Sequence, residues 1–280
     1  MIVKNLPVPE IIKQRVSSQS LVLIGLGFLL FFYAIPILLL GWTSVNLSSG
    51  DPFVNYRTAL EGVYLDAIVR SFYYGLVTTV VSLVLAYAIS YYIVFYGERQ
   101  FLLLGLVILP FWVAYIIRYL GIQLFFSPNG PFVMVFGTDF DILFSSVGVI
   151  VGLVSALLPF AILPIYNSLN SIDQDLVNAS HVLGAGHLRT LVSVIFPLSL
   201  SGVIAGGLIE FILATGSFLA PAILGGPGQT MIANVIAETF SSAFNVELAA
   251  AIAVLYTVIL TVVLMIFNSV INIGEVLGEL

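Results

Sequence analysis

SIDQDLVNASHVLGAGHLRTLVSVIFP, residues 171–197, is the longest polar interval between the apolar runs of a 280-residue chain. It carries Asp173, Asp175, His181, His187 and Arg189. The spacing predicts two short helices joined at glycine. Ser171 and Gln174 stand at capping-box distance, and Asp173 is a second N-cap candidate. Leu176, Ser180 and Leu183 fall on one helical face at i, i+4, i+7. Gly184 and Gly186 supply the bend, because glycine adopts positive φ at little cost. Leu188, Leu191, Val192 and Ile195 resume the apolar stripe, and Pro197 marks the next discontinuity. The expected product is a compact helical knob with one apolar face on the water side of a bilayer. Such a knob can lie on lipid headgroups or seat in a partner's cleft.

Composition places the rest of the chain in lipid. Hydrophobic residues make up 60% and charged residues 8%, and mean hydropathy is +1.16; soluble domains carry about a quarter charged residues. There is no cysteine, which excludes disulfides and thiolate metal sites. A formal net charge of −6 gives no support for nucleic-acid binding.

Outward from the polar interval, the apolar runs predict an all-α membrane protein with six spans: 21–41, 67–95, 101–126, 142–166, 202–224 and 246–272. Each is long enough to cross hydrocarbon at about 1.5 Å per residue. The first is too long for a signal-peptide core and lacks a clear small-residue cleavage site. Trp42 follows it where an interfacial aromatic belongs. A short surface helix is expected near residues 231–240. Lys4, Lys13, Arg15, Arg99 and Arg189 then fall inside, whereas Arg57 falls outside, Arg70 near the outer end of the second span and Arg118 within the third. This bias puts both termini and the 171–197 loop in the cytoplasm. The organisation read is a cytoplasmic segment 1–20, a six-span domain 21–272 and a cytoplasmic tail 273–280. We see no internal repeat of the inverted kind found in secondary transporters.

The loop resembles the coupling loop of permease subunits of binding-protein-dependent ABC importers. That family's pattern is Glu-Ala-Ala, three residues, Gly, nine residues, then Ile-x-Leu-Pro. This chain has Asn178-Ala179-Ser180, then Gly184, then Val194-Ile195-Phe196-Pro197. The Ala, the Gly, the Pro and the spacing match; Asn178 replaces the glutamate and with it any salt bridge the family makes there. The stretch Gly216-Ser-Phe-Leu-Ala-Pro221-Ala-Ile-Leu-Gly225-Gly226, followed by Met231-Ile-Ala-Asn234, resembles the spermidine/putrescine branch. The resemblance covers roughly residues 69–267. It implies the six-helix importer permease fold with a cytoplasmic coupling helix, in a prokaryotic inner membrane. It implies a non-catalytic subunit that forms the path for a small solute, a polyamine such as spermidine or putrescine. Another amine, an amino-acid derivative, a phosphonate or ferric ion is the alternative cargo. The implied partners are a second, homologous permease chain, two ATPase subunits and a periplasmic or surface substrate-binding protein. Asn178, Ala179, Ser180, Gly184 and Pro197 would contact the ATPase.

No cofactor is expected in this chain. Its only lysines are Lys4 and Lys13, so it has no Gly-Lys-Ser/Thr phosphate loop; ATP and magnesium would belong to the ATPase chains. His181 and His187, six apart across glycine, predict solvated loop histidines rather than a metal site. Charges and breakers inside spans supply the remaining candidates. Glu210 near mid-membrane must face protein or water. It reads as a counter-charge for a cationic amine, as a structural partner of Arg118, or as a protonated interface residue. Phe211, Phe218 and Arg118 complete the substrate-path candidates. Pro159 and Pro164 would kink the fourth span, as a lever or as ordinary proline bends. Pro221, Gly225 and Gly226 would form an outer gate, or simply end a helix. A stand-alone channel or secondary transporter, or an intramembrane enzyme, are the rival classes; the last would need a nucleophile and base at one depth.

Overall fold

The computed structural model describes residues 18–45, 51–137 and 142–271. Most of the expected segment 1–20 and the whole tail 273–280 lie outside them. All regular structure among the described residues is helical. The first apolar run forms α1 (Ser18–Leu29) and α2 (Ile35–Thr43), joined by a π turn at Leu30–Ala34 just ahead of Pro36. A short α3 (Val54–Ala59) precedes α4 (Gly62–Tyr96), α5 (Gln100–Ile108) and α6 (Tyr115–Phe125). The rest comprises α7 (Pro131–Phe136), α8 (Ser146–Asn170), α9 (Gln174–Val182), α10 (His187–Thr190), α11 (Phe196–Leu198), α12 (Leu200–Thr215), α13 (Leu219–Leu224), α14 (Ile232–Ser241) and α15 (Val246–Ile271).

Four described helices are long and apolar enough to cross a membrane: Gly25–Thr43, Gly62–Tyr96, Ser146–Asn170 and Val246–Phe267. Two bent pairs bring the count to six, Gln100–Trp112 with Tyr115–Phe125 at 93° and His187–Leu198 with Leu200–Thr215 at 65°. The third span is therefore broken rather than continuous. Pro110 sits in the 3₁₀ turn Leu109–Trp112, and Val113 and Ala114 are extended, so the helical ladder is interrupted where proline removes a donor. The fifth span also differs from the expected 202–224. Its helix ends at Thr215, and 219–224 is a separate short helix. At about 1.5 Å per residue α12 covers roughly 24 Å, less than a bilayer core of about 30 Å. The second span begins at Gly62 rather than 67, and α4 runs about 52 Å.

The centre of the fold is the mutual packing of α4, α8 and α12. Small and hydroxyl residues dominate the buried faces of α4 and α12, and α8 sets Val149, Leu153, Leu157, Ile162 and Ile165 among its own glycines and alanines. On α4 the buried stripe is Ala67, Ser71, Gly75, Thr78, Ser82, Ala86 and Ser90, a spacing of three or four that keeps one face toward its neighbours. A Cβ at Gly206 would lie 3.0 Å from the Ala161 carbonyl oxygen, and one at Gly202 would lie 2.5 Å from that of Pro164. α12 thus approaches α8 closely enough that only glycine fits, the usual device where lipid supplies no hydrophobic drive between helices. In contrast, α1 and α2 bury nothing over residues 25–43 and touch the bundle chiefly through α2 against α15. Trp42 is exposed.

Candidate coupling loop and substrate-path wall

Helix α9 starts at Asp173, whose Oδ1 accepts the Asp175 N–H at 2.9 Å. Asp173 rather than Ser171 is therefore the cap; the Ser171 hydroxyl turns back to the Ser168 carbonyl at 2.8 Å. The helix ends in a Schellman motif. The Gly184 N–H donates to the His181 carbonyl at 2.9 Å and the Ala185 N–H to that of Ser180 at 3.0 Å. Gly184 has φ +84°, the left-handed conformation that this closure demands and that glycine adopts without strain.

The chain reverses there, and one buried bond locks the two helices together. Ser180 Oγ and Thr190 Oγ1 lie 2.8 Å apart. His181 and His187 meet across the bend with ring centroids 5.2 Å apart. Both are exposed, and no cluster of three or more metal-ligating side chains occurs among the described residues.

The buried face of α9 is Val177 and Ser180; of the expected apolar stripe, Leu176 and Leu183 are exposed and Ser180 alone turns inward. Val177 joins Ile172, Leu169, Ile165, Ile162, Ala161, Ala86 and Ile195 in one cluster. Burying Val177 and Ile172 stabilises the seat by about 1.5–3 kcal/mol each. The loop is thus bolted to the C-terminal halves of α4 and α8. The side chains that remain outside are Val182 and Leu183, each 87% exposed, and Leu188, 79% exposed. Leu183 lies at the C-cap of α9, and Leu188 and Val192 of the expected stripe are exposed with it, whereas Ile195 is buried. Asn178 and Ala179 are exposed beside them. Pro197 follows a π turn, Leu191–Ile195, within the bent approach to α12.

The candidates inside the spans fall into separate places. Glu210 is fully buried on α12. The Ser82 hydroxyl of α4 lies toward it, yet neither carboxyl oxygen, nor Ser82 Oγ, nor Thr78 Oγ1, closes a hydrogen bond within the protein. Glu210 and Arg118 do not pair. The Arg118 Nη1 donates instead to the carbonyls of Ser155 and Ala156 on α8, 3.4 Å from each, and its guanidinium lies 4.7 Å from the Tyr115 ring centre. Phe211 is buried against Phe72 at 6.0 Å. Phe218, 45% exposed, borders a cavity of about 200 Å³ with Tyr115, Tyr119, Leu157, Leu213 and Ser217.

Pro221 is buried in α13, Gly225 donates to its carbonyl at 3.1 Å, and Gly226 donates to Gln229 Oε1 at 3.0 Å. Arg70 Nη1 clamps this region through the Thr230 carbonyl at 2.8 Å. The surface helix expected near 231–240 is α14, packed on α4 and α15. The Thr78 and Ser82 hydroxyls and the Tyr119 and Ser217 side chains were not singled out from sequence. The hydroxyl stripe on α4 was the available signal for the first pair; tertiary folding alone supplied the second.

Residues 97–273 match the family described as "Binding-protein-dependent transport system inner membrane component". The chain belongs to that family. It is a multi-pass inner-membrane permease subunit of a binding-protein-dependent importer, and ATP hydrolysis in such systems falls to separate chains. The permease is 34% identical over 228 residues to the spermidine/putrescine transport system permease protein PotB of Escherichia coli, covering 76% of this chain and 83% of that one. It is 32% identical over 243 residues to PotB of Salmonella typhimurium, covering 81% and 85%. Among solved structures, a bacterial ABC transporter involved in the import of the acidic polysaccharide alginate superposes with a TM-score of 0.75 at 16% identity, covering 90% of this chain and 93% of that one. The MetNI methionine ABC transporter superposes at 0.59 and 16% identity, covering 76% and 95%. At such identities the structural likeness shows the fold of the permease and nothing of its cargo.

Proposed function

We propose that this permease carries a polyamine, such as spermidine or putrescine, delivered by a cognate binding protein and driven by ATP hydrolysis in two partner ATPase subunits. The observation that carries the cargo is the 34% identity to a spermidine/putrescine permease over most of both chains. A second, homologous permease chain completes the path. ATP and magnesium reside on the ATPases. The termini and the coupling loop face the cytoplasm, with the six-span domain at 21–272 between segments 1–20 and 273–280.

The loop is built for such work. Three apolar side chains protrude from a knob whose base is fixed to α4 and α8. Asn178, Ala179, Ser180 and Gly184 form or shape the docking face, and Pro197 relays it to α12. The closing ATPase dimer displaces the knob, and Pro159 and Pro164 let α8 bend as it follows. The path candidates are Phe218 on the cavity wall, Phe211 and Glu210 on the same span, and Arg118 on α6. An amine cation suits tyrosine and phenylalanine faces through cation–π attraction, and Glu210 supplies the countercharge once the helices separate. Pro221, Gly225 and Gly226 form the outer gate.

The test is reconstitution of the whole assembly with its binding protein in liposomes. Spermidine uptake that requires ATP supports the proposal. ATP-driven uptake of 2-aminoethylphosphonate with no spermidine uptake would replace the cargo and leave the machinery standing. A shorter match of 30% identity over 111 residues to a putative permease for that compound, covering 39% of each chain, makes it the appropriate comparison. Uptake by the permease alone, without ATP, would refute the importer reading.

A further inference from the structure

Pro159 lies inside α8. Proline has no N–H, so the carbonyl four residues earlier, on Ser155, loses its helical donor. Buried or lipid-facing, such a carbonyl must find another partner. It finds Arg118, whose Nη1 lies 3.4 Å from the Ser155 oxygen and 3.4 Å from the next carbonyl, Ala156. The same guanidinium lies 4.7 Å from the Tyr115 ring centre, within cation–π range. No carboxylate pairs with it among the described residues. An arginine within a span is costly unless its charge is met; here a proline-freed backbone dipole and an aromatic face meet part of it, while the buried Nε has no hydrogen-bond partner within the protein.

The connection joins two elements that sequence leaves far apart. Arg118 belongs to α6, the outer half of the broken third span, set at 93° to its inner half. α6 also supplies Tyr115 and Tyr119 to the cavity wall. α8 runs from this contact to the coupling loop, which begins immediately after Asn170. We infer that Arg118 is a positioning residue that fastens the outer half of the third span to α8 at Pro159, so that displacement of α8 by the coupling loop carries the α6 wall with it. The direction of the work rests on the importer reading; the bond and its dependence on Pro159 do not.

The test is a double-mutant cycle in the complete importer with its binding protein, using Arg118→Met, Arg118→Lys, Pro159→Ala and the double variant Arg118→Met with Pro159→Ala. The readout is spermidine moved per ATP hydrolysed, with the melting temperature of the purified assembly measured in parallel. Losing a charged donor from an otherwise unpaired carbonyl should lower the transport ratio by about tenfold in Arg118→Met. Arg118→Lys keeps a charge that reaches the carbonyl, and should hold most of the ratio. In the Pro159→Ala background the restored N–H takes the Ser155 carbonyl, and Arg118→Met should then change the ratio by less than about twofold.

Equal losses in both backgrounds would show that Arg118 acts on substrate or on another partner, and would overturn the inference. No loss in Arg118→Met would also overturn it. If Arg118→Met fails to assemble, assembly must return in the double variant, and its failure there counts against the bond. If the unmodified assembly moves no spermidine, the cargo reading fails, and the melting-temperature cycle decides the bond: destabilisation by Arg118→Met must appear with Pro159 and vanish with Pro159→Ala.

Discussion

Gly184 offers a clean perturbation, because its surroundings separate backbone strain from steric clash. Its φ is +84°, and a Cβ built there meets nothing within 4 Å. Any side chain therefore has room, and the whole cost lies in the left-handed backbone. That cost is about 1 kcal/mol for serine and about 2 kcal/mol for valine, whose branched Cβ tolerates positive φ least. Two Schellman hydrogen bonds, each contributing about 1 kcal/mol net, are the features lost if the chain relaxes to negative φ. Relaxation would also swing His187 and Leu188 away from α9 and pull Thr190 from Ser180. Gly186, two residues on, is the internal control. It too meets nothing within 4 Å, but its φ is −75° at the N-cap of α10, a position that serine favours.

We expect Gly184→Ser to weaken coupling of ATP hydrolysis to uptake by roughly fivefold, Gly184→Val by roughly thirtyfold, and Gly186→Ser to leave it unchanged. The assay is uptake per ATP in proteoliposomes, with assembly checked by co-purification of the ATPase. Full coupling in Gly184→Val, or equal damage from serine at the two positions, would refute the reasoning.

The other predictions bear on separate layers of the argument. Leu183→Ala removes three exposed carbons, so the isolated permease should melt unchanged while ATPase affinity, measured by titration in nanodiscs, falls by roughly fiftyfold if each carbon contributes about 0.8 kcal/mol on docking. Gly206→Ala forces a Cβ against Ala161 and should lower the stability of the bundle by about 1–3 kcal/mol, read as a lower melting temperature. Arg70→Ala removes the charged donor to the Thr230 carbonyl, worth about 1.5–3 kcal/mol, and should speed proteolysis between residues 225 and 231 from the outer side.

Sequence exposed the features that repeat or break a pattern. Apolar runs of membrane length located six spans, and the Asn178–Gly184–Pro197 spacing located the loop. What it could not show was which residues meet. The break at Pro110 reads from sequence as one more proline in a membrane helix; only the packed structure turns it into a 93° corner. The fifth run carries Thr215-Gly216-Ser217 and Pro221 before Leu224, residues that signal a break near its end without fixing the helix terminus at Thr215. On α9 the stripe through Leu176 and Leu183 stays at the surface, and it took the packed structure to show that Val177, against Ile165 and Leu169, forms the seat. The second span is rich in tyrosine, but its buried face is mostly the small stripe from Ala67 to Ser90, and Tyr74 is the only tyrosine buried there. Pairing with Arg118 was one of three readings open to Glu210. Pro159 offered Arg118 a carbonyl instead, and Glu210 lies on the α4-facing side of another span.

The central claim is that the 171–197 knob faces the cytoplasm and is held by the ATPase. The chain has no cysteine, so Leu183→Cys introduces a unique thiol at an exposed site. Cross-linking from that position in the intact assembly should capture an ATPase subunit, and a membrane-impermeant thiol reagent should reach it in inside-out vesicles but not in intact cells. Labelling from outside intact cells, or a cross-link to no other subunit, would contradict the account.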